Sequence, residues 1–536
     1  MQNFKRPTHK SQPRQSLDGM VKPSALKGWT SSSQQINGAK GRSTLSSTKP
    51  SDQGLNSGIA ATSTLSRFSS YTPSANEAEV EEPHKKRRLH LPRFKSKYVL
   101  RTAIILVVLC LGLTGFLFGK GYFKLHSVFK GGAKSATALQ ANADPKLLKG
   151  EGDGRVNILV LGKGGPGHDG PDLTDTLLVA SIDPIAKEAV LLSIPRDMWV
   201  KVPGYGQMKI NSAYANAKYA AQYKGKSDAD AEKAGLDTIQ KEITDTMGIP
   251  IHYHVMVDFE AFRQAIDTVG GVTIDVKTQL YDPSVAWENN HNPVIAAVGL
   301  QTMNGKKALL YSRSRHGSAR GDFDRTERQR EVILALKDKV LSAGTFSNPV
   351  KISQLMDAFG NHIQTDLSLS DMLRLYSIGK NIPSAKITSL GLADPPNDYV
   401  TTGTQNGQSI VLPRAGLFDY TEIQNYVRNT LRDGYLKSEN ANVVVLNGTD
   451  TAGLATTKAN LLKSYGYNVT LVGDAPTKDY QNTHIIDLTK GVKKYTKTYL
   501  EKRLGVTAET KLPDETIPTT GVDFVIIVGS NEATQQ

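Results

Sequence analysis

The sequence predicts an α/β (α+β) fold in which helices pack on a β-sheet, preceded by a single N-terminal transmembrane helix. From Arg155 onward, short apolar runs alternate with segments of helical periodicity, a pattern typical of a sheet covered by helices. A second alternation begins near residue 441 and predicts a small C-terminal α/β domain. The 18 uncharged residues from Thr102 to Gly119 are enough for a helix that crosses most of a bilayer.

The basic charge of the chain is concentrated in an N-terminal tail. Residues 1–98 hold 17 Lys+Arg and 6 Asp+Glu, so they carry +11 of the formal net charge of +14 and leave about +3 for the rest. The tail is rich in small polar residues and poor in large apolar ones, which predicts a disordered cytoplasmic segment. Because the remainder is nearly neutral, we expect no nucleic-acid partner.

The predicted membrane helix, residues 99–119, sets the expected location of the chain. Seven Lys or Arg lie between Lys85 and Lys97, and this positive-inside bias places the N-terminus in the cytoplasm. The sequence therefore predicts a single-pass protein of the cell membrane, with a linker over 120–150 and the remaining domains outside. Cys110 is the only cysteine, so no intramolecular disulfide is possible.

The main domain is predicted over 151–436. Its expected strands are "VNILVLG", "TLLVASID", "EAVLLSIP", "HYHVMVDF" and "GGVTIDV". Its expected helices cover 213–224, 235–247, "EAFRQAIDTV" and about 325–341. The terminal domain is predicted over 441–530, where "NVVVLNGT", "HIIDLT" and "VDFVIIVGS" are typical of strands.

The stretch from Tyr311 to Arg330 contains six arginines and no lysine. We interpret "LLYSRSR" as strand-like, which would point Arg313 and Arg315 to one face. Asp324 with Glu327 resembles a capping box, and a helix starting there carries a further set of polar side chains on one face: Arg325, Arg328 and Gln329. Guanidinium groups at a helix N-terminus suit a diphosphate, because their forked donors match paired oxygens. The alternative is a solvated basic surface.

Carboxylates follow the first strand in the glycine-rich loop "GKGGPGHDGPDLTDT". Asp169, Asp172 and Asp175 are oxygen ligands of the type that Mg²⁺ prefers, and the alternative for the first two is turn formation. At the end of the third strand, "SIPRD" presents a further arginine, Arg196, whose alternative role is a structural ion pair. Other polar residues expected at the same crevice are Lys209 and Asn211. Asp322 is either an arginine partner or a helix cap.

Ordered blocks of the sequence resemble the LytR-CpsA-Psr family. The blocks are "TDTLLVASID", "LLSIPRD", "KINSAYA", "VGGVTIDV", "MNGKKALLYSRSR" and "DFDRTERQREVI". They extend over roughly 155–435, and the terminal region is similar to the LytR C-terminal domain. The resemblance implies a core built from a mixed β-sheet flanked by helices. It departs from the family pattern at Gly164, where an aspartate is usual, and Asp169 or Asp172 is our hypothesis for the replacement.

The resemblance implies a membrane-anchored, Mg²⁺-dependent (or Mn²⁺-dependent) phosphotransferase. Its expected partners are a glycopolymer on an undecaprenyl-diphosphate carrier, the peptidoglycan that receives it and membrane lipid. The alternatives are a polyprenyl-diphosphate-glycan hydrolase and a non-catalytic wall-binding or lipid-binding module. The catalytic residues that the resemblance implies are Asp175, Arg196, Arg313, Arg315, Asp322 and Arg325. The diphosphate-binding residues are the same four arginines together with Lys209, Asn211, Arg328 and Gln329. The predicted metal-binding residues are Asp175, Asp172 and Asp169.

Overall fold

The structure is a computed structural model that describes residues 129, 131–140, 143–341, 360 and 362–535. All of them lie within one compact unit, Val107–Gln536. The predicted tail and the predicted membrane helix lie outside the described residues. In the ranges that are described, no helix combines the length and the apolar character needed to cross a bilayer.

The first part of the chain folds into strands that alternate with helices. In chain order its elements are β1 Val156–Lys163, β2 Thr174–Asp183, β3 Glu188–Ser193, β4 Trp199–Val202, β5 Gly206–Lys209, α1 Ala213–Tyr223, α2 Asp228–Met247, β6 Tyr253–Asp258, α3 Phe259–Thr268 and β7 Val272–Val276. Each strand and helix named for this region in the sequence is present. Their ends shift by one or two residues, except that α2 begins at Asp228, seven residues before the predicted 235. Ser227 caps α2 by accepting a hydrogen bond from the backbone N–H of Asp230.

The middle of the chain adds short strands and the helices that carry the arginines. These elements are β8 Leu280–Tyr281, β9 Val294–Ala296, β10 Gly299–Met303, α4 Gly305–Arg313, α5 Asp322–Leu341, β11 Ile363–Thr365, α6 Leu369–Gly379, β12 Ile387–Gly391, β13 Val400–Gln405, β14 Gln408–Pro413 and α7 Thr421–Thr430.

The last part of the chain forms its own sheet. Its elements are α8 Gly434–Glu439, β15 Asn442–Asn447, α9 Leu454–Ser464, β16 Asn468–Asp474, β17 His484–Asp487, α10 Lys494–Leu504 and β18 Phe524–Val528. The strand order is β16-β15-β18-β17, and only the β17–β18 pair is antiparallel.

The central sheet has six strands in the order β11-β6-β1-β2-β3-β12. The pairs β1–β6 and β3–β12 are parallel, and the other three are antiparallel. The expectation of a mixed sheet is therefore confirmed. In this register Lys163 pairs with both Asp258 and Thr174, so the ends of β6 and β1 and the start of β2 lie side by side at one edge.

Helices cover both faces of the central sheet. Leu159 and Leu161 point to one face and pack in a core with Ile239 of α2. Ile158 points to the other face and packs with Ile378 of α6. Burial of both faces explains why the central strands read as nearly continuous apolar runs, and why helical segments separate them in the sequence.

Two local predictions around the arginines are wrong. "LLYSRSR" does not form a strand, because Leu309–Arg313 is the end of α4, and Ser314 after it, with φ −59° and ψ 137°, ends the helix. Helix α5 begins at Asp322, so Asp324 is not the N-cap. Its carboxylate instead accepts hydrogen bonds from the backbone N–H and the side chain of Arg320.

Candidate active site

One edge of the central sheet brings together residues that are far apart in the chain. Asp175 lies at the start of β2, and Arg196 follows the end of β3 on the adjacent strand. Asn211 lies in the turn after β5. Asp322 and Arg325 come from the first turn of α5. Two guanidinium groups, two carboxylates and one amide therefore form a cluster at this edge.

Arg196 lies among three carboxylates. Its Nη1 donates to Oδ1 of Asp175 at 2.6 Å, and the amide of Asn211 donates to the same oxygen at 3.2 Å. Its Nε is 3.6 Å from Oδ1 of Asp322 and 3.7 Å from Oδ2 of Asp197, which is too long for a hydrogen bond. The guanidinium is thus fixed in place, but one of its donors is not used.

Arg325 is buried against the same carboxylates. Its Nη2 donates to the backbone carbonyl of Asp175 and to Oδ2 of Asp322, both at 3.1 Å, and the residue is only 4% exposed. Among the described residues, the buried Nε of Arg325 has no hydrogen-bond partner, and neither has the Nε of Arg196. Because an unpaired buried donor costs about 1–3 kcal/mol, the pair points to an anion with several oxygens.

The charges of the cluster are strongly coupled. Burial disfavours the charged form of Arg196, but Asp175, Asp322 and Asp197 outweigh it and raise the pKa of the guanidinium. Burial lowers the pKa of Arg325, with Asp322 opposing the shift and Arg196 adding to it. Burial would raise the pKa of Asp175, yet Arg196 and Arg325 hold it below its ordinary value. An arriving anion would therefore stabilise the charged form of Arg325.

Arg313 and Arg315 lie at the end of α4 and in the loop that follows. The guanidinium carbon of Arg313 lies 4.7 Å from the ring centroid of Phe259, and its Nη1 lies 3.3 Å from Oε2 of Glu288. The backbone N–H of Arg315 donates to Asp282. The half-buried guanidinium of Arg315 forms no hydrogen bond or ion pair within the described part of the chain. Its positive charge helps to lower the pKa of Arg325.

Two other predicted site residues are bonded inside the protein. Arg328 donates from Nε to the carbonyl of Tyr311, from Nη1 to Ser318, and from Nη2 to the carbonyl of Ser314. Gln329 donates to the carbonyl of Ser312 at 3.3 Å. In this structure both side chains hold the end of α4 against α5, and Arg328 also holds the segment that follows. Their role in binding a diphosphate stays a prediction.

Lys209 reaches the cluster from the end of β5. Its Nζ lies 3.0 Å from Oδ1 of Asp197, whose other oxygen is near the Nε of Arg196. The lysine thus fixes the carboxylate that flanks Arg196 and adds a positive charge to this side of the site.

The three aspartates predicted to bind a metal do not share one site. Asp172 accepts hydrogen bonds from Lys163, Lys218 and Tyr219, each at 2.9 Å. Asp169 is exposed, and Asp175 faces Arg196. Over the described ranges, no group of three His, Cys, Asp or Glu side chains has the arrangement of a metal site.

A side chain at position 164 would be close to the next turn of the loop. A Cβ on Gly164 would lie 3.0 Å from the Cβ of His168, which is tighter than ordinary contact. His168 itself packs edge-on against Phe259, with ring centroids 5.0 Å apart. The residues present at the loop therefore do not fit a Mg²⁺ site made of Asp169, Asp172 and Asp175.

The sequence interpretation did not identify Phe259 or Glu288 as site residues. Phe259 follows the last residue of β6, a position at the same sheet edge as Asp175, and this position could have drawn attention to it. Glu288 lies in a helical turn with no pattern of its own, so its pairing with Arg313 could not be read from spacing.

Comparison with known proteins places most of the described chain in two family models. The LytR_cpsA_psr family model matches residues 122–412. The model named LytR cell envelope-related transcriptional attenuator matches residues 440–531.

Named relatives are moderately similar in sequence. Polyisoprenyl-teichoic acid–peptidoglycan teichoic acid transferase TagU of Oceanobacillus iheyensis is 35% identical over 233 residues, which is 43% of this chain and 64% of TagU. Cell wall biosynthesis protein LcpA of Corynebacterium glutamicum is 28% identical over 349 residues, 60% of this chain and 63% of LcpA. The chain thus spans less than two thirds of the length of either relative. The crystal structure of B. subtilis TagV covers 52% of this chain and 96% of TagV, with 27% identity and a TM-score of 0.40.

Proposed function

The chain belongs to the LytR-CpsA-Psr family, and on this premise we propose that it transfers a glycopolymer from an undecaprenyl-diphosphate carrier to peptidoglycan. The bond formed is a phosphodiester, and the reaction takes place on the outer face of the cell membrane. TagU, a relative 35% identical over 233 residues, carries the name of a transferase acting from a polyisoprenyl-linked polymer to peptidoglycan.

The observation that carries this proposal is the pair of unused guanidinium donors at the sheet edge. Arg196 and Arg325 each hold a buried Nε–H without a hydrogen-bond partner among the described residues. Arg313 and Arg315 add two guanidinium groups that are only half-buried. Planar guanidinium forks match the several oxygens of a diphosphate better than those of a single carboxylate.

The proposed reaction depends mainly on positioning and on charge. The arginines bind the diphosphate of the carrier, and a sugar hydroxyl of peptidoglycan attacks the phosphorus that bears the glycan. The bond from that phosphorus to the bridging oxygen breaks, and polyprenyl phosphate leaves. Preorganised guanidinium groups stabilise the negative charge that moves to the leaving oxygen, which is the largest contribution that a protein makes to phosphoryl transfer.

Dependence on Mg²⁺ stays a prediction from the family resemblance. A divalent cation would offset diphosphate charge that the arginines leave over. Since the three loop aspartates do not fit a metal site, no step of the proposed reaction depends on a bound metal ion.

Membrane attachment is also part of the proposal. It is supported by the uncharged stretch from Thr102 to Gly119 and by the seven basic residues between Lys85 and Lys97. A single helix there would keep the active site close to a carrier lipid that is itself embedded in the bilayer.

The test is a reconstituted transfer assay with the purified full-length chain. The substrates are an undecaprenyl-diphosphate oligosaccharide and soluble peptidoglycan strands, with Mg²⁺ in one arm and EDTA in the other. We expect mass spectrometry to find glycan joined to peptidoglycan through one phosphate, with release of undecaprenyl phosphate.

Two other outcomes contradict the proposal, and a third removes only its dependence on Mg²⁺. Free phosphorylated glycan without attachment to the wall would indicate a hydrolase. Binding of the lipid-linked glycan without turnover in either arm would indicate a binding module. Equal turnover with Mg²⁺ and with EDTA would agree with a transferase that does not depend on Mg²⁺.

A further inference from the structure

A histidine–carboxylate pair lies at the same sheet edge as the arginine cluster. His362 immediately precedes β11, and its Nδ1 is 2.6 Å from Oδ2 of Asp258, the last residue of β6. The backbone N–H of Asp258 donates to the carbonyl of His362 at 3.2 Å. The second oxygen, Oδ1, accepts from the backbone N–H of Ala261 and caps α3. The pair is therefore held by three hydrogen bonds.

This geometry fixes the imidazole in one tautomer. Both oxygens of Asp258 accept hydrogen bonds, so the Nδ1 of His362 is the donor and a neutral ring carries its lone pair on Nε2. Asp258 is 5% exposed, while the side chain of His362 is 36% exposed. A buried carboxylate that orients a partly exposed imidazole is the arrangement of a general base.

The pair borders a cavity of about 410 Å³. The charged groups that line it with His362 and Asp258 are Lys163, Lys218, Asp172 and Glu232. Gln364 also lines it, and its buried Oε1 has no hydrogen-bond partner in the described part of the chain. A wall of donors and acceptors with one free amide oxygen suits a ligand rich in hydroxyl groups, such as a sugar.

The register of the sheet places this cavity beside the arginines. Asp258 pairs with Lys163, and Lys163 pairs with Thr174, the neighbour of Asp175. Two strand spacings, about 10 Å, separate Asp258 from Thr174, and His362 lies one spacing further, beside Asp258 at β11. The residue after Asp258 is Phe259, on which Arg313 stacks. A glycan that enters the cavity can therefore present a hydroxyl toward a diphosphate bound by the arginines.

Asp175, a carboxylate among the predicted catalytic residues, is poorly suited to act as the base. It accepts hydrogen bonds from Arg196 and Asn211. Although burial alone would raise its pKa, Arg196 and Arg325 hold the pKa of its carboxyl below the ordinary value. A carboxylate stabilised in this way binds a proton weakly.

We propose that the cavity beside the arginines binds the acceptor glycan and that His362 is the base for its attacking hydroxyl. This rests on the proposed transfer reaction. The hydroxyl proton passes to Nε2 of His362 as the hydroxyl oxygen bonds to phosphorus. The bond from phosphorus to the bridging oxygen breaks, and its electron pair leaves with polyprenyl phosphate. The imidazolium, stabilised by Asp258, then returns the proton to solvent.

The test uses the full-length chain with His362→Gln and His362→Gly. The matched control is His484→Gln, because His484 forms a similar pair with Glu509 at 2.9 Å in the terminal sheet. General-base catalysis contributes about 10²- to 10⁴-fold, so we expect transfer by His362→Gln to fall at least about 100-fold. Binding of the lipid-linked donor should stay within a few fold of wild type. Imidazole in solution should restore transfer by His362→Gly, since a merely structural role would not respond to it.

Binding of the acceptor is measured separately, by the shift of the His362 imidazole NMR signal on addition of soluble peptidoglycan strands. If the wild type binds these strands at His362 but transfers nothing, the transfer reaction is wrong and the acceptor site stands. If the wild type transfers and His362→Gln retains normal rates, the base assignment is wrong. Loss of transfer with a lowered melting temperature and no effect of imidazole also overturns it, and an unmoved His362 signal overturns the acceptor site.

Discussion

The six arginines between Tyr311 and Arg330 have two different uses. Arg325 lies in the cluster with Asp175 and Asp322, and we propose that Arg313 and Arg315 bind the diphosphate with it. The other three hold the scaffold: Arg320 pairs with Asp324 and Glu327, Arg328 is bonded to the segment after α4, and Arg330, 1% exposed, is bonded to Ser389 and Asp394. The absence of lysine is explained by both uses, since each depends on several directed donors per side chain.

Replacement of Arg313 by lysine tests whether the fork or only the charge is needed. Lysine would keep the ion pair with Glu288 but lose the planar contact with Phe259 and the second donor. We expect Arg313→Lys to lower kcat/KM for the lipid-linked donor about 10- to 100-fold, the effect of one or two charge-assisted hydrogen bonds.

The control for this prediction is Arg263→Lys. Arg263 is an exposed residue of α3 that pairs with Glu260, and its replacement should leave kcat/KM unchanged. A rate for Arg313→Lys close to wild type, with the control also normal, would mean that the site needs only positive charge at this position.

At the scale of single elements, the sequence predicted the strands and helices of the central sheet better than the helix α4 that carries Arg313. The apolar pattern identified β1, β2 and β3, which are buried on both faces of the sheet, and α2, which buries one face against it. It did not identify α4, since "LLYSRSR" alternates as a strand would. The missed signal is Asn304, whose side chain accepts from the backbone N–H of Lys307 and caps α4.

Helix α2 carries a buried acid that should make stability depend on pH. Glu242 is 5% exposed, and burial, with a further contribution from Asp245, raises the pKa of its carboxyl from 4.5 to about 7. Between these values the unfolded chain has released the proton while the folded chain still holds it. Stability therefore falls as pH rises from 4.5 to 7, by up to about 3 kcal/mol.

The measurement is the free energy of unfolding in denaturant at pH 5 and pH 8. Wild type should lose about 2–3 kcal/mol more than Glu242→Gln between these two values, because glutamine does not titrate. Glu260→Gln, a change of a half-buried residue on α3, serves as control and should follow wild type. Parallel losses in wild type and Glu242→Gln would show that Glu242 is not the responsible group.

At the scale of the whole molecule, one buried carboxylate joins the two sheets. Asp433 accepts from the backbone N–H groups of Gly152 and Gly154 at 2.9 and 2.8 Å, just before β1. It also accepts from Tyr499 of α10 at 3.0 Å and from the backbone of α8. The residue is 2% exposed, so the two parts are connected by a fixed contact.

Removal of this carboxylate should destabilise both parts together. Asp433→Ala leaves several buried donors unpaired, and we expect it to lower the free energy of unfolding by more than about 3 kcal/mol. Calorimetry should show one transition at a lower temperature. Asp419→Ala, which removes an exposed turn contact to Thr421, should shift the transition little. A second, separate transition in Asp433→Ala alone would mean that the two parts unfold independently once this contact is lost.

The segment predicted as a linker over 120–150 also contacts both sheets. Where it is described, Leu139 packs in the core of the central sheet, and Ala143 and Leu148 pack in that of the terminal sheet. Its polar, small-residue composition did not indicate this, because the few apolar side chains that make these contacts are scattered and have no period.

The sequence by itself determined most strands and helices of an α/β fold, its resemblance to a family that implies a mixed sheet, and that Arg196, Arg313, Arg315 and Arg325 are candidates for one anion site. These follow from local periodicity and residue chemistry, which a linear chain displays directly. Only the tertiary structure decided that Arg328 is bonded internally, that Asp172 is held by two lysines, and that His362 meets Asp258. Those facts depend on strand register and on contacts between separate elements, 104 positions apart for His362 and Asp258, which no local pattern encodes.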